Sequence, residues 1–183
     1  MTKDYSPDRL DIKAFVQAGA HLKGHDSLLK YERLAQEAQG MHPDLHVAWQ
    51  VHGQLRNADS PAPEPWIHLT VQATQPLLCQ RCLTAVDVPL EVDRWFRFVA
   101  DEATAEALDD EVEEDLLAIS REFDLRALIE DELLMALPVV PLHDECPVSV
   151  PMASSSEDFD AVEDEKPNPF AALTALKTDK PAH

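Results

Sequence analysis

The chain has 183 residues, of which 45% are hydrophobic, and a formal net charge of −20 at pH 7. This length and composition are typical of one globular domain with a hydrophobic core and additional tail segments. Because the chain has no cluster of Lys and Arg, the negative charge argues against tight binding to naked nucleic acid.

The negative charge is concentrated in the second half of the sequence. Residues 1–100 have a net charge of −2, residues 101–142 of −12 and residues 143–183 of −6. A charge distribution of this kind favours solubility or a basic protein partner.

The sequence predicts a cytoplasmic protein that does not associate with a membrane. Its N-terminus lacks the apolar stretch of a signal peptide, and no run approaches 18 apolar residues. An odd number of cysteines, three, without an export signal argues for a reducing compartment.

Two helices are predicted in the first 40 residues. The first spans residues 8–18, with Asp8 as its N-cap and Gly19 as its stop. The second spans residues 26–39, where Asp26 precedes a broad apolar face.

The middle of the chain changes to the two-residue period of β-strands. Apolar and polar residues alternate over residues 45–52 and 67–73, and again from Val86 to Phe98. Turn-forming residues at 57–65 separate the first two runs. Three strands at this spacing predict an antiparallel sheet.

The acidic second half is predicted to contain one clear helix. Residues 101–115 are rich in acids and are predicted to form a mobile loop, and residues 116–119 a short strand. Residues 124–137 have helical spacing, start at an Asp124 cap and stop at Pro138.

These elements predict an α+β fold, with an antiparallel sheet or partial barrel covered by two or three helices. We expect one domain over residues 1–146 and a disordered acidic tail over residues 147–183. The tail ends in a short amphipathic segment in which Asn168 caps a helix, Pro169 takes its first position and Phe170 begins an apolar face. Such a segment is predicted to dock on a partner.

All the cysteines lie in two short motifs, Cys79-Gln-Arg-Cys82 and His143-Asp-Glu-Cys146. Two cysteines separated by two residues can bind one Zn²⁺ through a tight turn, and a His and a Cys elsewhere can complete a tetrahedral site. The simpler interpretation, which we favour, is that no cofactor is bound and that the cysteines are ordinary turn residues. Redox chemistry is less favoured, because strands rather than a helix flank the first motif.

Three consecutive acids, Glu130, Asp131 and Glu132, lie in the second half of the predicted helix. They are either a solvated face or a contact for Lys and Arg of a partner protein. The sequence contains no phosphate-binding glycine loop and no hydrolase or metalloprotease motif, so no enzymatic activity or small-molecule substrate is predicted.

Several segments together resemble the bacterial YceD family, the large ribosomal RNA subunit accumulation proteins. The matching segments are Cys79-Gln-Arg-Cys82, Asp124-Leu, Ile129-Glu-Asp-Glu-Leu, Ala136-Leu-Pro-Val-Val-Pro-Leu-His143, Cys146 and Lys166-Pro-Asn-Pro-Phe-Ala-Ala-Leu. The resemblance implies a cytoplasmic bacterial protein that supports synthesis, processing or stability of 23S ribosomal RNA without enzymatic activity.

Charge and resemblance together lead to two hypotheses. In the first, the acidic region 101–132 binds a basic ribosomal or assembly protein, and ribosomal RNA is contacted indirectly or weakly. In the second, the chain binds 23S RNA directly through the sheet surface. The residues that this alternative would use are Arg81, Arg94, Arg97 and two exposed aromatics, Trp66 and Trp95.

Overall fold

The structure, a computed structural model, describes residues 5–40 and 42–149. The predicted tail from position 150 onward, with the docking residues Asn168, Pro169 and Phe170, therefore lies outside the described residues. The predicted domain boundary at residue 146 stays a prediction.

The described residues form an open five-stranded sheet whose strands are neighbours in chain order. The first four strands pair antiparallel, and the fifth pairs parallel with the fourth. The strands are β1 His21–Ser27, β2 His46–Arg56, β3 Glu64–Leu78, β4 Ala85–Val99 and β5 Asp115–Ala118. The predicted α+β class and antiparallel sheet are confirmed.

The two longest strands, β3 and β4, form a hairpin that sets the layout of the molecule. Their register runs from the pair Trp66–Arg97 to the pair Leu78–Ala85. A strand of 15 residues such as β4 spans about 45 Å at about 3.3 Å per residue. The two ends of β4 therefore lie far apart, with the Cys79–Cys82 turn at its start and the acidic segment at its end.

The described helices are α1 Ile12–Gln17, α2 Glu32–Gln36, α3 Glu102–Leu108 and α4 Leu125–Met135. Three of them, α1, α2 and α4, lie on the face of the sheet that carries the core, and we call the opposite face the open face. Apolar residues of α1, α2 and α4 pack against alternate residues of the strands, because successive side chains of a strand point to opposite faces. The core contains, among others, Phe15, Leu34, Val51, Leu69, Phe96 and Ile129.

The predicted helix over residues 26–39 is wrong at its start. Residues 21–27 form β1, which pairs along its whole length with β2, and only a 3₁₀ turn and α2 follow. Asp26 is not an N-cap: its carboxylate accepts hydrogen bonds from Trp49 Nε1 at 2.7 Å and Lys30 Nζ at 2.8 Å. Pairing with a neighbouring strand has overridden the local capping signal.

The predicted mobile loop over residues 101–115 is also wrong, since it contains α3. Asp101 caps this helix by accepting a hydrogen bond from Thr104 N at 2.8 Å, and Ala105 on the inner side of the helix is buried. The predicted strand at 116–119 and helix at 124–137 are confirmed as β5 and α4. In α4, Asp124 accepts from Ala127 N at 2.9 Å, as an N-cap should.

Among the described helices, none is long and apolar enough to cross a membrane.

Candidate functional site

The first cysteine motif forms a tight turn between β3 and β4. Cys79 N donates to Thr84 O at 2.9 Å, and Leu83 N donates to Cys79 O at the same distance. Leu83 has a φ of 57°, the left-handed conformation that glycine adopts most easily. The turn thus accepts a strained residue in order to fold back on itself directly after Cys82.

The second motif reaches this turn because the chain after α4 runs alongside it. Gln80 N donates to Pro141 O at 2.9 Å, and the Arg81 guanidinium donates to the carbonyl oxygen of His143. These two contacts hold the segments in register although more than 60 residues of sequence separate them.

The four sequence-predicted donor residues meet at this point. One donor atom each from Cys79, Cys82, His143 and Cys146 lies within 4.8 Å of all the others. Cys82 Sγ is 3.4 Å from His143 Nδ1, and His143 N is 3.5 Å from Cys79 Sγ. Cys79 is fully buried, the other three are half-buried, and all the cysteines are free thiols.

The surroundings of the thiols shift their pKa values in opposite directions. Burial raises the pKa of Cys79, but backbone N–H groups of Cys82, His143 and Arg81 donate to its sulfur and bring the pKa down to about 5. Burial and the neighbouring thiols raise the pKa of Cys146 to about 11. Hydrogen bonding to the Cys79 sulfur raises the pKa of His143. The cluster thus offers one thiol that ionises easily, two further sulfur atoms and an imidazole. Soft and borderline metal ions prefer this set of donors.

The three acids at 130–132 are the second candidate site. Two of them, Glu130 and Asp131, contact Arg33 of the same chain. Glu130 accepts from Arg33 N at 2.7 Å and Arg33 Nε at 2.9 Å, and so caps α2. Asp131 lies 2.7 Å from Arg33 Nη1 and keeps about half of its side chain exposed, 55%. No local sequence pattern indicates these contacts, because Arg33 lies almost 100 residues earlier.

The third acid, Glu132, is only 9% exposed. Its carboxylate lies 3.0 Å from Arg94 Nη1, and Arg94 also pairs with Asp115 of β5. Glu132 therefore ties α4 to β4 and β5. The partner-binding role of the three acids stays a prediction, and each of them has an intramolecular partner.

A different group of acids lies free on the surface at α3 and the turn after it. These six residues form no ion pair within the described part of the chain: Glu102, Glu106, Asp109, Asp110, Glu111 and Glu113. All six are exposed, and no Lys or Arg lies between Arg97 and Arg121 in the sequence. The unpaired negative charge of the described residues is therefore densest at the end of β4.

Residues 67–177 match the family model described as large ribosomal RNA subunit accumulation protein YceD. The chain belongs to this family. A protein of that name from Haemophilus influenzae is 37% identical over 112 residues, which cover 58% of this chain and 62% of that protein. The chain thus spans less than two thirds of the length of this relative. No solved structure matches the chain.

The open face of the sheet in this YceD-family chain differs from the RNA-binding surface that the second hypothesis requires. Trp66 is buried rather than exposed, at 6%, and Trp95 is half-buried. The Arg56 guanidinium covers both rings, 4.0 Å from the centre of Trp66 and 4.5 Å from that of Trp95. Arg97 pairs with two acids and Arg94 lies on the helix-covered side, so these cations are already neutralised.

Proposed function

We propose that this chain is a non-enzymatic factor that supports the accumulation of large-subunit ribosomal RNA in the bacterial cytoplasm. The relative from Haemophilus influenzae is named for accumulation of this RNA. Membership of the family is the observation that carries the proposal. The action is on synthesis, processing or stability of 23S RNA, and it is exerted through a basic ribosomal or assembly protein.

The acidic surface made of α3 and residues 109–113, which we call the α3 surface, supports a protein partner rather than RNA. Its carboxylates form no ion pair with any described residue, so the described part of the chain leaves them as an uncompensated negative field. Such a field speeds encounter with a basic protein and repels phosphates. Salt weakens it, because exposed charges are screened over about 8 Å at physiological ionic strength.

The acids at 130–132 contribute less directly to this proposal. Of the three, Asp131 alone has a largely exposed side chain, whereas the side chains of Glu130 and Glu132 are mostly buried. A charge reversal at all three positions would therefore disturb packing as well as any partner contact. Asp131→Lys alone is the informative change at this site.

A pull-down from bacterial lysate at low and moderate salt tests the proposal. The wild type is compared with a variant reversed at the α3 surface, Glu106→Lys, Asp109→Lys and Asp110→Lys. The matched control carries the same change of charge elsewhere on the exposed surface, Glu37→Lys, Asp59→Lys and Glu91→Lys. We expect a basic ribosomal or assembly protein to bind to wild type and control, and to be lost from the α3 variant.

The same experiment distinguishes the RNA alternative. Proteins are identified by mass spectrometry and RNA by sequencing, before and after ribosomal proteins are stripped from the sample. If 23S RNA stays bound after stripping, and the α3 variant binds as well as wild type, direct RNA binding replaces the proposed protein contact.

A further inference from the structure

We propose that Cys79, Cys82, His143 and Cys146 bind one Zn²⁺ ion in a closed tetrahedral site. The ion would be structural: it would fasten the segment that follows α4 to the turn between β3 and β4. This site does not depend on the proposed function, and its test requires no partner.

The spacing of the donors fits a single zinc ion. Zinc bonds of about 2.3 Å to sulfur and 2.0–2.1 Å to nitrogen place tetrahedral ligands roughly 3.5–3.8 Å apart. The Cys82–His143 pair is already at 3.4 Å, and no pair in the set exceeds 4.8 Å. Closure around an ion therefore requires the donor atoms to shift by about 1 Å or less.

The backbone around Cys79 is arranged to stabilise a metal-bound thiolate. Three backbone N–H groups, from Arg81, Cys82 and His143, point at its sulfur. The second motif contributes one of these donors, so the hydrogen bonds join the same two segments that the ion would join. Outer contacts of this kind orient the ligands of metal sites and tune their basicity.

The charge balance of the site is also favourable. Three thiolates and a neutral imidazole leave a zinc site with one net negative charge. Arg81 supplies a compensating cation, because its guanidinium is fixed at the carbonyl oxygen of His143.

Four protein ligands leave no open position for water or substrate, which distinguishes this site from catalytic zinc sites. Its consequence is structural and local. The segment that it fixes includes apolar side chains facing solvent, with Val139 98% exposed and Leu142 47% exposed, and Leu83 in the cysteine turn is 67% exposed. An anchored segment would present these side chains in a defined arrangement.

Elemental analysis of the full chain, purified without chelator, is the first test. We expect about one zinc per chain for wild type, and a loss of at least tenfold for Cys79→Ser and for His143→Asn. His52→Gln removes an exposed histidine from the open face of the sheet and serves as the control. It should keep the wild-type zinc content. Iron in place of zinc, or equal zinc in all variants, would overturn the proposal.

Reconstitution of wild type provides a test that does not depend on variants that fail to fold. The protein is stripped with chelator under reducing conditions and titrated with Co²⁺, which reports the geometry that zinc itself hides. We expect tetrahedral visible bands and thiolate charge-transfer absorption that saturate at about one equivalent and disappear when Zn²⁺ is added. Cobalt bands without thiolate character, or a purified chain with a disulfide between two of its cysteines, would contradict the site.

Discussion

The two ends of strand β4 use opposite chemistry. At its start, the cysteine turn and the segment after α4 are held by backbone hydrogen bonds and place three thiols and an imidazole together. At its end, Arg94 and Arg97 are surrounded by carboxylates, and the α3 surface adds six acids that form no ion pair with other described residues. The start of β4 therefore brings sulfur and imidazole metal ligands together, and its end brings negatively charged carboxylates together.

The difference shows that functional side chains can lie close together without being available to a ligand or partner. The cysteine motifs converge with their donor atoms toward one another, so they form a site. The acids divide into two groups: those at 130–132 stabilise the fold through Arg33 and Arg94, whereas those of the α3 surface remain free. The free group has its carboxylates available for a partner, whereas the partner-binding role of the acids at 130–132 stays a prediction.

Metal removal should give the largest effect and should act on one end only. We expect chelator to accelerate hydrogen exchange at the amides of Gln80 and His143 by at least about tenfold. A structural metal stabilises the segments that it joins, and the loss of about 1.4 kcal/mol of local stability is enough for tenfold faster exchange. The amides of Ala105 and Asp109 in and after α3 should exchange as before, which mass spectrometry or NMR can measure. Equal acceleration at both ends would show that the ends of β4 are not independent.

The next effect contrasts two adjacent acids of α4. Glu132→Ala should lower the free energy of unfolding by about 1–3 kcal/mol, because Arg94 loses its buried ion-pair partner and keeps the more exposed Asp115. Asp131→Ala should change it by less than about 0.5 kcal/mol, since its ion pair with Arg33 is exposed. Urea denaturation measures both. Similar values for the two variants would mean that burial does not separate fold-stabilising acids from surface acids here.

The sequence predicted the elements whose signals are local. Alternation at β2, β3 and β4 and the Asp124 cap of α4 were sufficient, because side-chain period and capping depend on neighbouring residues. It did not predict β1, in which Gly24 lies against the ring of Trp49. A Cβ at Gly24 would be 2.4 Å from this ring, so the strand depends on a long-range contact rather than on a local pattern.

The candidate site shows the same division. The donor residues were identifiable because cysteine and histidine are few and their spacing is short. Their convergence was not, since it depends on hydrogen bonds such as Gln80 N to Pro141 O between distant segments. For the acids, composition indicated that the second half of the chain is negatively charged. Only the structure shows that Glu130 and Glu132 form ion pairs with Arg33 and Arg94.

A smaller, stabilising effect is expected in the cysteine turn. Leu83→Gly should raise the free energy of unfolding by about 0.5–1 kcal/mol, because a residue with a side chain strains at a φ of 57° and glycine does not. Leu83→Ala is the control, since it removes the exposed side chain but keeps the Cβ that causes the strain. If Ala stabilises as much as Gly, exposure of the leucine rather than backbone conformation is responsible.

The smallest effect on stability should come from changes at the α3 surface. The same surface should have the largest effect on partner binding that we propose for this end of β4. Neutralising Glu106, Asp109 and Asp110 as amides should shift the free energy of unfolding by less than about 0.5 kcal/mol per residue, because these exposed carboxylates form no ion pair with other described residues. Any shift should be stabilising and should vanish at high salt, since removing like charges relieves a repulsion that ions screen. Thermal unfolding at low and high salt measures it. A large loss of stability would show that these acids, like Glu132, serve the fold, and the proposed partner surface would then have to be sought elsewhere.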